Sequence, residues 1–471
     1  MEIQEDPTMQ LNPKTRQAYD LFHDGILALG RAEQQGIRVD VEYIEEKQAQ
    51  LTRRIDWLYK RVEGTKFYHH WEHSQKGKVN IMSDAQLARF LYDVKKLKPI
   101  KLTPTKKGST DEESLTQLNI PELNHILKIR KLKQLRDTFL EGFRREQVNG
   151  VMHPFYNLNL ARTFRSSSDR PNFQNIPKRD HESMQICRKA LYPRKGHQLL
   201  EIDFSGLEVR IAACYHKDPT MLAYINDPTT DMHRDMAEQL FKFKYDKARE
   251  DHYTLRQAAK NGFVFPQFYG DYFGNNAVDL ACMWGGLPMD KWKPGDGIEF
   301  NDSQLANHLI DNKLSSLGLF TKHVQKIERD FWENRFPDYA AWKERWWQTY
   351  QKNGYIDLLT GFRCSGVMGR NDCINYPVQG AAFHCLLWCI IELDKIARLE
   401  SWKTKLVGQI HDSILIDAHP EELEYVARVV KRVTCEDLPK AWPWISVPLD
   451  VDADLCAVDA SWADKEKYEF K

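Results

Sequence analysis

None of the nine cysteines (Cys187, Cys214, Cys282, Cys364, Cys373, Cys385, Cys389, Cys435, Cys456) forms a CxxC pair. That excludes the usual zinc-ribbon and dithiol redox spacings. Cys385 and Cys389 lie four apart in "AAFHCLLWCIIELDKIA", where the apolar neighbours favour helix packing over a metal. Thiols without a disulfide framework fit a reducing, cytoplasmic setting. The chain also lacks an apolar run of membrane-span length, and its start, "MEIQEDPTMQ", has no basic-then-apolar signal pattern. A membrane partner is not expected. Charge of one sign is missing too: Lys and Arg total 67, Asp and Glu total 67, and the formal net charge is zero. Any surface for a polyanion must therefore be a local patch. No internal repeat or low-complexity tail is visible.

What is present is 471 residues, 42% hydrophobic and 28% charged, enough for several substructures around more than one core. Residues 15–65 read as helical, apolar at three- and four-residue spacing and closed by Gly36. A polar stretch of strand or loop character follows, then a helix at "SDAQLARFLYDV" opened by a Ser83 cap. "KLTPTKKGSTDEESLTQL" reads as a loop running into another capped helix. The helix "ILKIRKLKQLRDTFLEGFRREQ" puts Lys128, Arg130, Lys131, Lys133, Arg136, Arg144 and Arg145 at positions expected to be exposed. Such a face is either solvated surface or a phosphate contact. Residues 150–215 mix strands and loops, 216–350 are mainly helical, and the remainder alternates. "WGGLPMDKWKPGDGIEF" has the Gly, Pro and Asp density of a loop insertion.

Two carboxylates interrupt apolar strands. In "QLLEIDFSGLEVRIAA" Asp203 ends the run Leu199, Leu200, Ile202; in "LVGQIHDSILIDAHP" Asp412 sits in a tight turn between two short strands. Each alone reads as a turn or cap residue. Together on one sheet they could hold a pair of Mg²⁺ ions, which prefer carboxylate oxygen. Ions on the order of 4 Å apart clamp the attacking and leaving oxygens of a displacement at phosphorus. A triphosphate site is legible in "LRQAAKNGFVFPQFYGDYF": Arg256 and Lys260, four apart, share a helix face, and Phe263, Phe265, Phe268 and Tyr269 follow. The plainer reading is a helix with an aromatic core stripe. Upstream, His233 and Arg234 open another helix, where anions are favoured.

These segments, in this order, resemble the polymerase region of family A DNA polymerases. "DFSGLEVRIAA" is similar to the first catalytic motif, "RQAAKNGFVFPQFYG" to the nucleotide-binding finger helix and "QIHDS" to the second catalytic motif. "ARTFRSSSDRPNFQNIP", "GYIDLLTGFR", "INYPVQGAA", "RAEQQGIRVD" and "VPLDVDADLCAVDASW" match further blocks, so the likeness spans nearly the whole chain from about residue 20. The resemblance implies an α+β right hand, with an antiparallel palm sheet, helical fingers and a helical thumb. It implies a tail over 1–22, a thumb over 23–148 with the first palm segment, palm over 149–214 and 351–471, and fingers over 215–350 with an insertion at about 275–325.

It also implies roles. Asp203, Asp412 and the backbone carbonyl of Phe204 would bind two Mg²⁺, with Mn²⁺ as a substitute. Arg256, Lys260 and His233 would hold the triphosphate of a dNTP, with Lys260 as general acid, and Glu208 would exclude a ribose 2′-hydroxyl. Tyr269 and Gly270 match the pair beside the templating base, while Arg165, Thr163, Gln174, Asn175, Asn375, Gln379 and His411 match residues at the primer-template. Such contacts test base-pair shape, and the template chooses the sequence.

The chain departs from the family in several places. The interval from Lys260 to Tyr269 is one residue longer than usual, so the sugar-stacking position falls on Phe265 or Val264, and Phe265 is preferred. Pro266 lies inside the expected helix and should kink it unless a local bulge absorbs both the proline and the extra residue. Ser413 replaces a common carboxylate, and Gly206 replaces a glutamine. Too few residues precede the thumb for a proofreading domain, so no intrinsic exonuclease is expected; a separate exonuclease or processivity factor is a candidate partner. The compact chain suggests a phage or other mobile element, acting in a bacterial cytoplasm. Three rivals remain: a single-subunit RNA polymerase, a two-metal nuclease, and a catalytically impaired primer-template-binding scaffold.

Overall fold

The computed structural model describes residues 13–75, 77–103, 105–178 and 180–470. The first part of the expected tail, residues 1–12, lies outside them. The architecture is α+β, and the chain divides into two compact units, each built from separate segments. Among the described residues, unit 1 comprises 13–43, 142–230 and 330–470, and unit 2 comprises 44–141 and 231–329.

Unit 1 is organised by a five-stranded antiparallel sheet. Its strand order is Lys405–Ile410, Ser413–Ala418, Gln198–Phe204, Val451–Leu455 and Glu466–Tyr468. The central strand, Gln198–Phe204, alternates by the two-residue period of a pleat. Leu200, Ile202 and Phe204 share one face and are buried, while Glu201 and Asp203 share the other. Burying Leu200 and Ile202 contributes on the order of 1.5–3 kcal/mol each. Glu201, 4% exposed, is charge-compensated: Lys465 Nζ (2.7 Å), Trp462 Nε1 (2.9 Å) and Arg188 Nη1 (3.3 Å) all donate to Oε2.

The 30-residue helix Arg370–Leu399 runs through the core of this unit. At Gly380 an added Cβ would stand 2.5 Å from the Thr163 carbonyl oxygen. Glycine there lets the helix approach the loop that carries Arg165. The N-terminal helix, Pro13–Gln35, buries Ala18, Leu21, Ala28, Leu29 and Ala32 at helical spacing. It is therefore helical where residues 13–22 of a tail were expected.

The helical reading of 15–65 needs correction. Strand Ile37–Val39 separates Pro13–Gln35 from Val41–Glu63, pairing with Val151–Met152 and Leu191–Tyr192. Its partners lie more than a hundred residues on, which no local window reveals. The polar stretch that follows also differs. It contains helix Lys66–Ser74, capped by the Thr65 hydroxyl accepting from Tyr68 N (3.1 Å) and burying Phe67, Tyr68 and Trp71.

Unit 2 is mainly helical. Ser83 caps its helix by accepting from Gln86 N (3.3 Å), and Asp111 caps Glu112–Gln117. The cationic helix begins at Pro121 and continues through a wide turn to Glu146, and its face is less free than expected. Arg130 donates to Ile81 O (2.9 Å) and Asp84 (2.8 Å), and Arg136 to Asp137 (2.6 Å) and Thr52 (3.0 Å). Lys128, Arg130, Lys131, Lys133 and Arg136 are half-buried, whereas Arg144 and Arg145, which belong to unit 1, are exposed. In the expected insertion, the "GGLPMDKWKPGDG" segment is a loop, followed by a hairpin, Glu299–Phe300 with Ser303–Gln304, and helices Leu305–Asp311 and Leu317–Asp330.

Candidate active site

In unit 1, Asp203, His411 and Asp412 lie at one end of the sheet. Asp203 lies in register with Ser413 on one side and Asp452 on the other. Asp412 occupies the two-residue turn between Lys405–Ile410 and Ser413–Ala418. The two aspartates are tied through the backbone, where Phe204 N donates to Asp412 O at 3.1 Å. The turn itself is strained, because exposed His411 adopts φ +51°, a region that side-chain-bearing residues rarely visit.

A buried amide holds that turn. Gln409 Nε2 donates to the His411 carbonyl (2.5 Å), while its Oε1 accepts from Ser166 Oγ (2.8 Å) and Gln174 Nε2 (2.6 Å). Gln174 is only 9% exposed, so its amide serves this network rather than the surface. Gln409 stands inside "QIHDS", yet nothing in the motif marks it as the support of the turn.

Electrostatically the two aspartates want a cation. Burial holds the Asp412 carboxyl above the ordinary carboxylate range, Arg165 opposes this, and Asp203 adds to the rise. Lys178 Nζ meets Asp203 Oδ2 at 2.9 Å. Among the described residues no group of three or more His, Cys, Asp or Glu side chains forms a metal cage. Ser413 offers no substitute, since its hydroxyl donates to Ile410 O (2.9 Å). Two oxygen-donor side chains, one an under-compensated carboxyl, fit hard cations that keep positions open for phosphate.

Beside the pair, Gly206 adopts φ +63° as the entry to helix Leu207–His216, a conformation that glycine takes without steric cost. Glu208, in the first turn, forms an ion pair with Arg165. Asn375 and Gln379 lie one turn apart on Arg370–Leu399, both half-buried. Thr163 is half-buried where the helix passes Gly380, and Asn175 is exposed in the turn Phe173–Asn175.

Unit 2 carries the second set. Helix Glu250–Ala259 ends in a wide π turn, Lys260–Val264, where Phe265 N–H bonds to Lys260 O; helix Phe265–Phe268 follows. This bulge absorbs one residue, and Pro266 falls in the first turn of the new helix, where a missing N–H costs little. Phe263 and Val264 are fully buried and Phe268 nearly so. Half of the aromatic run is thus core stripe. Phe265 and Tyr269 are the more open ones, Tyr269 being 41% exposed, with Gly270 at φ +91° beside it.

Lys260 Nζ lies 5.4 Å from the Phe265 ring centre, and the His233 ring meets Phe265 edge-on at 5.6 Å. Of the two candidate stacking positions, Phe265 is the one beside Lys260 and His233, and Val264 is fully buried. Burial, then Lys260 and Arg256, push His233 down to about 4, so it is neutral at pH 7. Its Nδ1 is buried without a hydrogen-bond partner. Asp231, which lies outside the motifs quoted above, accepts from Arg256 Nε at 2.6 Å. Its signal is the cap position ahead of "MHRD".

Comparison with known proteins identifies the family and the fold. The model of the family "DNA polymerase family A" matches residues 42–281 and 310–464, and its gap falls within the 275–325 stretch. DNA polymerase I of Aquifex aeolicus (strain VF5) is 29% identical over 409 residues, covering 86% of this chain and 61% of the relative. DNA polymerase I of Geobacillus stearothermophilus is 27% identical over 448 residues, covering 91% and 44%. The chain thus spans about two fifths to three fifths of the length of the curated relatives it matches. In structure it resembles the POL domain of Pol1 from M. smegmatis, solved with DNA primer-template and dNTP. The TM-score is 0.73 at 23% identity, over 94% of this chain and 70% of that one.

Proposed function

The chain belongs to DNA polymerase family A, and from that premise we propose that it is a template-directed DNA polymerase. It adds deoxynucleoside monophosphates to a primer 3′-hydroxyl and releases pyrophosphate. The observation that carries this reading is the pair of strand-tip aspartates joined by the bond from Phe204 N to Asp412 O, lying within the family match.

In unit 1, Asp203 and Asp412, with the Phe204 carbonyl, would hold two Mg²⁺, for which Mn²⁺ could substitute. The chemistry such a pair would supply there is a lowered pKa for the primer hydroxyl and charge compensation for the leaving pyrophosphate. Glu208, held by Arg165, excludes a 2′-hydroxyl. Arg165, Thr163, Asn175, Asn375, Gln379 and His411 bear on the primer-template, and Gln174 supports them through Gln409.

In unit 2, Arg256 and His233 grip the triphosphate. Lys260 gives a proton to the departing pyrophosphate oxygen, and Phe265 stacks on the incoming nucleotide. Tyr269 and Gly270 flank the templating base. Substrate and partner are thus a dNTP and primer-template DNA. No helix among the described residues is long and apolar enough to cross a membrane.

The test is extension of a labelled primer on a template with Mg²⁺ and either deoxy- or ribonucleotides. Wild type should extend with deoxynucleotides, and Asp203→Ala and Asp412→Ala should not. A primer that is bound yet never extended would move the reading to a template-binding scaffold. Preference for ribonucleotides would move it to an RNA polymerase.

A further inference from the structure

Asp231 does two things with one carboxylate. Its Oδ1 accepts the backbone N–H groups of His233 and Arg234, both at 3.1 Å, and so caps helix Met232–Phe241. Its Oδ2 accepts from Arg256 Nε at 2.6 Å, with both side chains mostly withdrawn from solvent. The pair is charge-assisted and short, the stronger class of hydrogen bond. With Nε committed to Asp231, the guanidinium plane is fixed and its two Nη groups are the donors that remain for a phosphate fork.

The same carboxylate therefore sets two elements of the cation cradle. It starts the helix that presents the His233 ring, whose buried Nδ1 has no partner, and it orients the guanidinium one turn ahead of Lys260. An aspartate beside Arg256 and His233 is electrostatically odd in an anion site, since by charge alone it weakens anion binding. Geometry explains it: an arginine on a helix face loses rotamer freedom when it binds, and prior fixing removes that cost.

We propose that Asp231 is a positioning residue for a triphosphate ligand, joining Arg256 and His233 into one preorganised site. The inference rests on the polymerase reading for the identity of the ligand as a dNTP, but its test does not.

The experiment uses the full chain with Asp231→Ser and Asp231→Asn. Both replacements are good helix caps, and each supplies only one acceptor oxygen, so the cap survives and the Arg256 contact is lost. The readouts are calorimetric binding of inorganic tripolyphosphate, the dNTP KM and kcat in primer extension, and the melting temperature. We expect tripolyphosphate Kd and dNTP KM to rise together by about tenfold, with kcat and melting temperature little changed. In an Arg256→Ala background, the same Asp231 changes should shift Kd by less than about twofold.

Removing a negative charge would by Coulomb attraction tighten the complex, so a rise in Kd reads positioning rather than charge. A Kd that stays or falls overturns the inference, as does a full effect in the Arg256→Ala background, which would leave Asp231 only a helix cap. If Asp231→Ser does not fold, Asp231→Asn decides. A wild-type chain that binds tripolyphosphate but extends no primer ends the polymerase reading and leaves the cradle standing. One that binds no tripolyphosphate ends this inference, whatever primer extension shows.

Discussion

Asp203 and Glu201 lie two residues apart on one face of one strand, and their surroundings separate structure from chemistry. Glu201 is enclosed by Arg188, Trp462 and Lys465, a closed charge network. Asp203 meets Lys178 at the sheet end, and the neighbouring Asp412 carboxyl is held up by burial. Sequence reasoning finds Asp203 because it interrupts an apolar run, but it has no means of finding Lys178, whose only signal is a cation after "NIP". Asp203→Asn and Asp412→Asn should each slow extension by about three orders of magnitude, ~4 kcal/mol of barrier. Single-turnover incorporation measures this, and a loss below tenfold would remove either residue from the metal site. Glu208→Ala should raise ribonucleotide use about 10–100-fold over wild type. Competition between dATP and ATP reads it, and an unchanged ratio would deny Glu208 its gating task.

At the scale of elements, the helix that carries Arg256 and Lys260 is where sequence and structure instruct each other most. Counting from Lys260 or from Tyr269 leaves Val264 and Phe265 open, because a helix of uniform pitch cannot absorb an added residue. The π turn Lys260–Val264 absorbs it, leaving Val264 in the core and Phe265 beside Lys260 and His233. Phe265→Ala should therefore raise the dNTP KM about 5–100-fold through lost stacking, with stability nearly constant. Val264→Ala should do the reverse, costing on the order of 1–3 kcal/mol of stability. Steady-state kinetics beside urea melts separate the two, and equal KM effects would refute the assignment. The hairpin that carries Asp412 behaves similarly. Its strands and turn are legible in the alternation around His411 and Asp412, but not the Gln409 amide that bonds the strained turn. That bond depends on Ser166 and Gln174, more than two hundred residues away.

For the whole molecule, two buried histidines contribute to the loss of stability in acid. His384 is fully buried between Thr360 and the Phe164 carbonyl, and burial takes it down to about 3. His216 is also taken down to about 3, by burial and then by Lys343, and its Nδ1 accepts from Asp218 N (2.9 Å). Both fold neutral, while the unfolded chain takes up protons below about 6.5, so their contribution is present at pH 7 and is lost as pH falls from there toward 3. From pH 7 to 5 the loss is about 2 kcal/mol for each. Urea melts at the two pH values measure it, and His384→Gln should show a smaller drop; an equal drop would mean that His384 titrates normally. The sequence by itself determined the family and the order of motifs, because these reside in residue types at short spacing, where side-chain period and charge act locally. It determined the sheet tips that carry Asp203 and Asp412 for the same reason. Only the tertiary structure decided what holds them: the strand Ile37–Val39 with partners far along the chain, the Gln409 network, the Lys178 contact and the bond from Asp231 to Arg256. Each of these joins segments that no local pattern relates, since burial and hydrogen-bond geometry are fixed by where the chain returns rather than by which residue comes next.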